Sequence, residues 1–398
     1  MMEEESQYSL MVGMMYLFNA MFGLGILALP KAFADAGWLT SSVILALAMV
    51  MSYITVTFLI EVMASANARV VWNRRSDSYK ENEIKLKENI LVPEKKREEP
   101  THQKTFYSEL LSKCLCCCYL PDDPKPSVFD INELLSLADL TKMYFNTVFC
   151  IIFIVAFHLL ATGHGKGNPS LANFGALPNL FGACSLAAVS HATLPQIIPP
   201  IQNKAYLGFG IAIVFIVVGT LYALLSLTIM FTFENDKIET IVLLNFLDCS
   251  VAPGVFFIYF LGLYTTFKVS AIFPLNAVTL RDNLWAMFSP FQCSHIWIVE
   301  RLIFPILTIL PPIVIAMVTE NIEVIVGVTG SYAATIIQFV IPPLLVFFSR
   351  RDTHEKFGPS VHIKFASPFQ HNLWIIIVII FAVFALITVT ILYITHQS

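Results

Sequence analysis

Few ionisable side chains stand inside the long apolar stretches of this chain, and those few are the first candidates for chemistry. Lys268 falls near the middle of Phe256 to Ala277, a stretch with no acidic residue. A lone charge at that depth costs at least about 3 kcal/mol unless it is paired or wet. The ammonium therefore needs a role: a proton to exchange, helix-end carbonyls to hold, or an interface to reach by snorkelling. Ser270, two residues on, lies on a different helix face and is the weaker candidate. His191 follows Ser190 at mid-depth in Leu177 to Ile201. An imidazole titrates in water at about pH 6.5, which suits a proton-coupled step or a gate. His158 comes late in its stretch and reads as an interfacial histidine; Glu61 closes the second stretch, where it would meet water or Lys/Arg neighbours. No stretch holds a His-x-x-x-His pair or paired acids, which disfavours an intramembrane metalloenzyme, and no phosphate-binding loop suggests a primary pump. No metal or cofactor is expected.

Two interruptions would position these groups. The run Asn19 to Trp38 contains Gly23, Gly25 and Pro30 inside the first apolar stretch. Glycine leaves helical geometry at little steric cost, and proline cannot donate the next helical hydrogen bond. In hydrocarbon a freed N–H or C=O costs several kcal/mol unless protein, ligand or water meets it, so a break at membrane depth faces a cavity. Asn19, Phe22, Gly23, Leu24 and Gly25 are therefore candidate substrate-binding residues, together with Ser190 and His191. The alternative is that the glycines merely let helices pack closely. A second interruption falls in Leu177 to Ile201, which holds Gly182, Pro195, Pro199 and Pro200. Two broken helices, one early and one mid-chain, are what a transporter built from inverted repeats places around its substrate. Their half-helix ends offer N–H groups to a carboxylate and carbonyls to an ammonium or sodium ion, and a zwitterionic amino acid needs both.

The rest of the chain supports a bilayer setting. Apolar residues are 57% and charged residues 13% of 398, which points to an all-α polytopic membrane protein. Nine windows are long enough to span, roughly 9–33, 38–62, 143–162, 178–201, 207–232, 252–278, 302–319, 323–348 and 373–395. Several are apolar all round, unlike the alternation of a barrel strand. The acidic start argues against a cleaved leader. Of 24 Lys and Arg, twenty fall in alternate connecting segments and three on the opposite side, with Lys268 within a span. The positive-inside rule then puts the N-terminus (1–7) in the cytosol, helices at 8–64, a cytosolic loop at 65–142, seven more spans over 143–398, and the C-terminus outside or in a lumen. The loop is charged at Lys80 to Glu99 and punctuated by prolines, as a disordered segment is, and ends in a short amphipathic helix around Ile131 to Leu140. Its Cys114, Cys116, Cys117 and Cys118 admit acylation, metal binding or no role; no His or Cys pair at zinc-like spacing follows, which disfavours metal. A net charge of −4 brings no expectation of a nucleic-acid partner.

Gly23-Leu-Gly-Ile-Leu-Ala-Leu-Pro30, followed by Ala32-Phe33 and Ala36-Gly-Trp38, resembles the first-helix signature of the amino acid/auxin permease family. The likeness continues through His191-Ala-Thr-Leu-Pro195, Phe273 to Arg281, Gly327-Val-Thr-Gly-Ser-Tyr332 and Val340-Ile-Pro-Pro343, covering about 8–70 and 140–398. It implies a leucine-transporter-like secondary transporter with inverted five-helix repeats, moving amino acids or similar small solutes with H+ or Na+, in the plasma membrane or an endolysosomal membrane. In the matching family helix, small hydroxyl residues help bind sodium against the first helix, so Lys268 would occupy the ion's place, with Ser270 beside it. The family pattern has eleven spans. This chain has two too few between its broken helices, so the first repeat is expected to lack a helix pair. A non-transporting scaffold that keeps the fold, or a truncated isoform, is the alternative.

Overall fold

The computed structural model describes residues 7–21, 25–91, 152–162, 167–246, 302–319, 322–358, 363 and 365–397, with scattered helical positions between 259 and 287. They fall into two compact units, Met1–Ser65 with Leu135–Ser398, and Ala66–Leu134. The described residues are mostly helical, and their one β pairing is the isolated bridge between Tyr8 and Ile201.

In the first unit, α1 (Leu10–Met21) and α2 (Gly25–Ala36) are two halves of one apolar run bent by 52°. Pro30 lies inside α2, so the bend falls between the two helices and not at the proline. Gly37 then turns the chain with φ of 90°, a left-handed conformation that suits glycine, and its Cα faces the backbone of 170–172 too closely for a Cβ. α3 (Trp38–Leu91) follows, and its residues from Ala66 onward belong to the second unit. That unit's described part is helical throughout, with Val70, Val71 and Trp72 exposed. α4 (Ile152–Ala161), α5 (Leu177–Ala188), the single turn α6 (Leu194–Ile197) and α7 (Leu207–Thr232) come next. The last described elements are α8 (Phe304–Val318), α9 (Ile322–Val328), α10 (Ile341–Phe357) and α11 (Asn372–Gln397). Two π turns, Thr329–Ala334 and Ile336–Val340, join α9 to α10. Pro342 and Pro343 account for the second of these, because neither can donate to the carbonyls of the preceding turn and their rings crowd it.

Four helical runs among the described residues are long and apolar enough to span a bilayer: Trp38–Ser76, Leu207–Thr232, Ile325–Phe357 and Asn372–Thr395. The bent pair α1 and α2 makes a fifth if counted as one span. α4, α5 and α8 are apolar but shorter. Of the nine sequence windows, 252–278 contributes only isolated helical positions, and 143–151 lies outside the described residues. So do the proline-rich loop from 92, the four clustered cysteines and the amphipathic segment Ile131 to Leu140.

α7 shows why the setting is lipid. Ile211, Phe215, Val218, Tyr222, Leu225 and Ile229 form a buried stripe at helical spacing, yet the opposite face, Phe209, Ile213 and Ile216, is exposed and equally apolar. Without a hydrophobic force between helices in lipid, close approach of backbones holds the bundle. At α5 this approach is extreme: a Cβ on Gly330 would lie 2.0 Å from the Gly182 oxygen, and one on Gly182 would lie 2.6 Å from the Gly327 oxygen.

The elements also share ends. Tyr8 pairs with Pro200 and Gln202 at one end, where Tyr53 reaches the start of α7 and stacks edge-on against Phe369. Glu61 lies two turns beyond Tyr53, held by Arg350 through Nε at 2.7 Å and Nη2 at 2.8 Å, and by the Ser367 N–H at 2.9 Å. Trp38 N–H bonds the Ser170 carbonyl, Asn173 N–H bonds the Ala36 carbonyl, and Gly167 N–H bonds the Phe231 carbonyl at the opposite end. The C-terminal part of α11 belongs there too, since the Tyr393 hydroxyl bonds Asn179 near the start of α5.

Candidate substrate site at the two helix breaks

The second break is open to full description. α5 stops at Ala188, Val189 is extended, and 191–193 form a turn before α6. Pro195, Pro199 and Pro200 each remove a donor that a continuous helix would aim one turn back, which is why the helix cannot run through. The last four carbonyls of α5 therefore have no helical partner. Side chains from three other helices meet three of them. Gln338 Nε2 donates to Ser185 O at 2.6 Å, Tyr222 OH lies 3.5 Å from Ala187 O, and Ser52 Oγ donates to Ala188 O at 3.0 Å. Ser52 is also 3.1 Å from Gln338 Oε1, so α3 and the π turn are tied through the same cap.

His191 is buried, 3% exposed, with Nε2 at 2.9 Å from Thr55 Oγ1. That hydroxyl is also within 3.1 Å of Met51 O and 3.0 Å of Ser52 O. If its proton goes to a carbonyl, Nε2 carries hydrogen and Nδ1 is a bare acceptor; if it goes to Nε2, Nδ1 is a donor. In both cases Nδ1 is a buried hydrogen-bonding atom with no partner among the described residues, and so are Ser185 Oγ, Ser190 Oγ and Ser226 Oγ. Each such atom costs about 1–3 kcal/mol if nothing meets it.

The first break meets the second. Gly25 starts α2, and a Cβ there would lie 2.5 Å from Ala187 Cα, so its bare backbone lets α2 pack on the end of α5. The packing alternative thus accounts for this glycine. Tyr222 OH donates to Met21 O, the last carbonyl of α1, at 2.5 Å. Asn19 is half-buried two residues earlier on α1, and Ser270 occupies an exposed helical position that the structure does not bring to the buried cluster. His158 is exposed on α4. Phe22, Gly23, Leu24 and Lys268 lie outside the described residues. Sequence reasoning passed over Ser52, Thr55, Ser185, Tyr222, Ser226 and Gln338. Gln338 carried the plainest signal, an amide in the middle of an apolar span, where it must find partners across helices.

Residues 6–86 match the family model described as transmembrane amino acid transporter protein. "Transmembrane protein 104" of Homo sapiens is 30% identical over an alignment covering 96% of each chain. The chain belongs to the transmembrane protein 104 group of the amino acid/auxin permease family. The "Transmembrane protein 104 homolog" of Drosophila melanogaster is 28% identical and that of Dictyostelium discoideum 24%, with 98% and 97% of each chain covered. Membership is thus in a group of multi-pass membrane proteins and not in an enzyme family. The human alignment extends over 475 positions, and 398 residues cannot fill them, so at least 77 positions face a gap in this chain. Because 96% of both proteins is aligned, most of those gaps are internal.

Proposed function

We propose that this chain is a secondary active transporter, or a transporter-like sensor, for amino acids or similar small solutes, working by alternating access around its two broken helices. The observation that carries this reading is the second break itself: α5 ends at Ala188 against α2 and α7, and just beyond it Ser190 Oγ and His191 Nδ1 are buried polar atoms without partners among the described residues. Ser190 and His191 would face the solute, and the region of Asn19 to Leu24 would close over it from α1. Lys268 and Ser270 would supply ion coupling to H+ or Na+, and the clustered cysteines could carry acyl chains. An inverted-repeat arrangement of about nine spans fits the family and the two breaks.

The reading makes solute binding measurable apart from transport. Purified protein should be stabilised against heat by some amino acids and not others, by about 2.7 kcal/mol at a hundredfold excess over Kd. His191→Leu, which keeps bulk but removes Nδ1, should weaken that binding about tenfold, the worth of one hydrogen bond near 1.4 kcal/mol. Equal stabilisation of the variant would remove His191 from the site.

The alternative of a scaffold or shortened isoform is favoured by one observation, the positions of the human alignment that this chain leaves empty. A helix pair of about 20 residues per span with its loops would account for much of that length. Losing an even number of helices keeps the later ones in their family orientation.

Orientation is a separate proposal: N-terminus and the 65–142 loop cytosolic, C-terminus outside or lumenal. It rests on the Lys/Arg count and on the contacts that set Tyr8 and Tyr393 at opposite ends. A tag at Ser398 should react with an impermeant label only from the non-cytosolic side; reaction only from the cytosol would overturn both the orientation and the odd number of crossings.

A further inference from the structure

We propose that the Tyr222 hydroxyl fills the place of a monovalent cation between the two broken helices, making this point of the transport site ion-independent. Three observations meet there. The phenol of α7 is fully buried, its oxygen is 2.5 Å from Met21 O at the end of α1, and the same oxygen is 3.5 Å from Ala187 O at the end of α5. Both carbonyls belong to the C-terminal end of a half-helix, where the backbone dipole carries partial negative charge and attracts cations. Two converging carbonyls in a buried site are the start of a sodium coordination set, which takes oxygen donors. A neutral O–H donor in the same position meets the need of one carbonyl at a time with its single proton, without an ion.

The neighbouring carbonyls show the same treatment. Ser185 O and Ala188 O are met by Gln338 and Ser52, so three of the four terminal carbonyls of α5 face protein donors. Among the described residues no carboxylate stands at this cap to hold a cation by charge; Glu61, the buried acid, is spent on Arg350. The Tyr222 oxygen lies against both half-helix ends from one position on α7, so a movement of either end changes which carbonyl its proton meets.

The inference rests on the reading of the two breaks as the transport site, and its test reads ion-dependent stability, so it fails separately from solute binding. Thermal unfolding of the purified full chain is compared in sodium chloride and in N-methylglucamine chloride at equal ionic strength. The native protein should melt at the same temperature in both. Tyr222→Phe removes the donor from both buried carbonyls, and sodium should raise its melting temperature by about 1–2 °C relative to N-methylglucamine, the scale expected for a chain of this size. Tyr222→Asn adds an acceptor oxygen to the pair, so it should respond at least as strongly, and it decides the matter if the phenylalanine variant does not fold. A native protein that sodium stabilises as much as it does the variants would overturn the proposal. So would variants that fold and are indifferent to sodium.

Discussion

Gly330→Ala is expected to unfold the centre of the bundle. The added methyl would lie 2.0 Å from the Gly182 oxygen and 2.6 Å from its carbonyl carbon, and both are backbone atoms that no rotamer change can move aside. Overpacking a core typically costs about 1–3 kcal/mol when side chains can give way; here the helix itself must shift, so the loss should reach at least the upper end of that range. Separation is all the more costly in lipid, because α5 and the π turn are held by close van der Waals approach and not by water exclusion. Gly208→Ala is the matched control, since a Cβ there meets nothing within 4 Å. It should be neutral or slightly stabilising, as alanine is favoured over glycine in a helix by about 0.5–1 kcal/mol. Melting temperatures of the two variants in one detergent check the pair; an unchanged Gly330→Ala protein would mean that this helix contact does not support the fold.

Glu61→Ala should cost about 3–5 kcal/mol, the usual result of stranding one half of a buried ion pair. The side chains are 3% and 15% exposed for Glu61 and Arg350, so solvent does little to soften the loss. Arg350 would keep its bonds to the Gln370 and Phe369 carbonyls and its place over the Phe58 ring, but its charge would have no counterion there, and the Ser367 N–H would lose its acceptor. The double variant Glu61→Gln, Arg350→Met removes both charges together and should recover most of the stability, because neutral groups of similar volume replace buried pairs at little cost. If the single variant melts like the native protein, the pair is a surface contact in practice and α3, α10 and the segment before α11 are joined by other means.

The membrane class, the spans of α3, α7, the run from α9 through α10, and α11, and the second break were legible in the sequence, because long apolar runs and clustered prolines act locally and leave unambiguous signatures. So was the place of His191 at that break, as a titratable residue beside three prolines. The bend of the first helix was placed near the right residues, but Pro30 misled: a proline five residues into a half-helix is accommodated, and the interruption falls before it. What could not be read was who meets the freed carbonyls. Tyr222 lies about 200 positions from Met21 in sequence and Gln338 about 150 from Ser185, with nothing local to announce either contact. The reason for Gly25 was hidden in the same way, since its spacing fits a ligand or a helix neighbour equally well until Ala187 is seen against it.

The most direct test of the central claim is uptake by the purified chain in sealed proteoliposomes, offered each amino acid as a radiolabel with a proton or sodium gradient imposed. The account predicts saturable, solute-selective accumulation that His191→Leu reduces while leaving the protein folded. Protein that is folded and correctly inserted, yet moves none of the amino acids under either gradient, would contradict it and leave a membrane scaffold in its place.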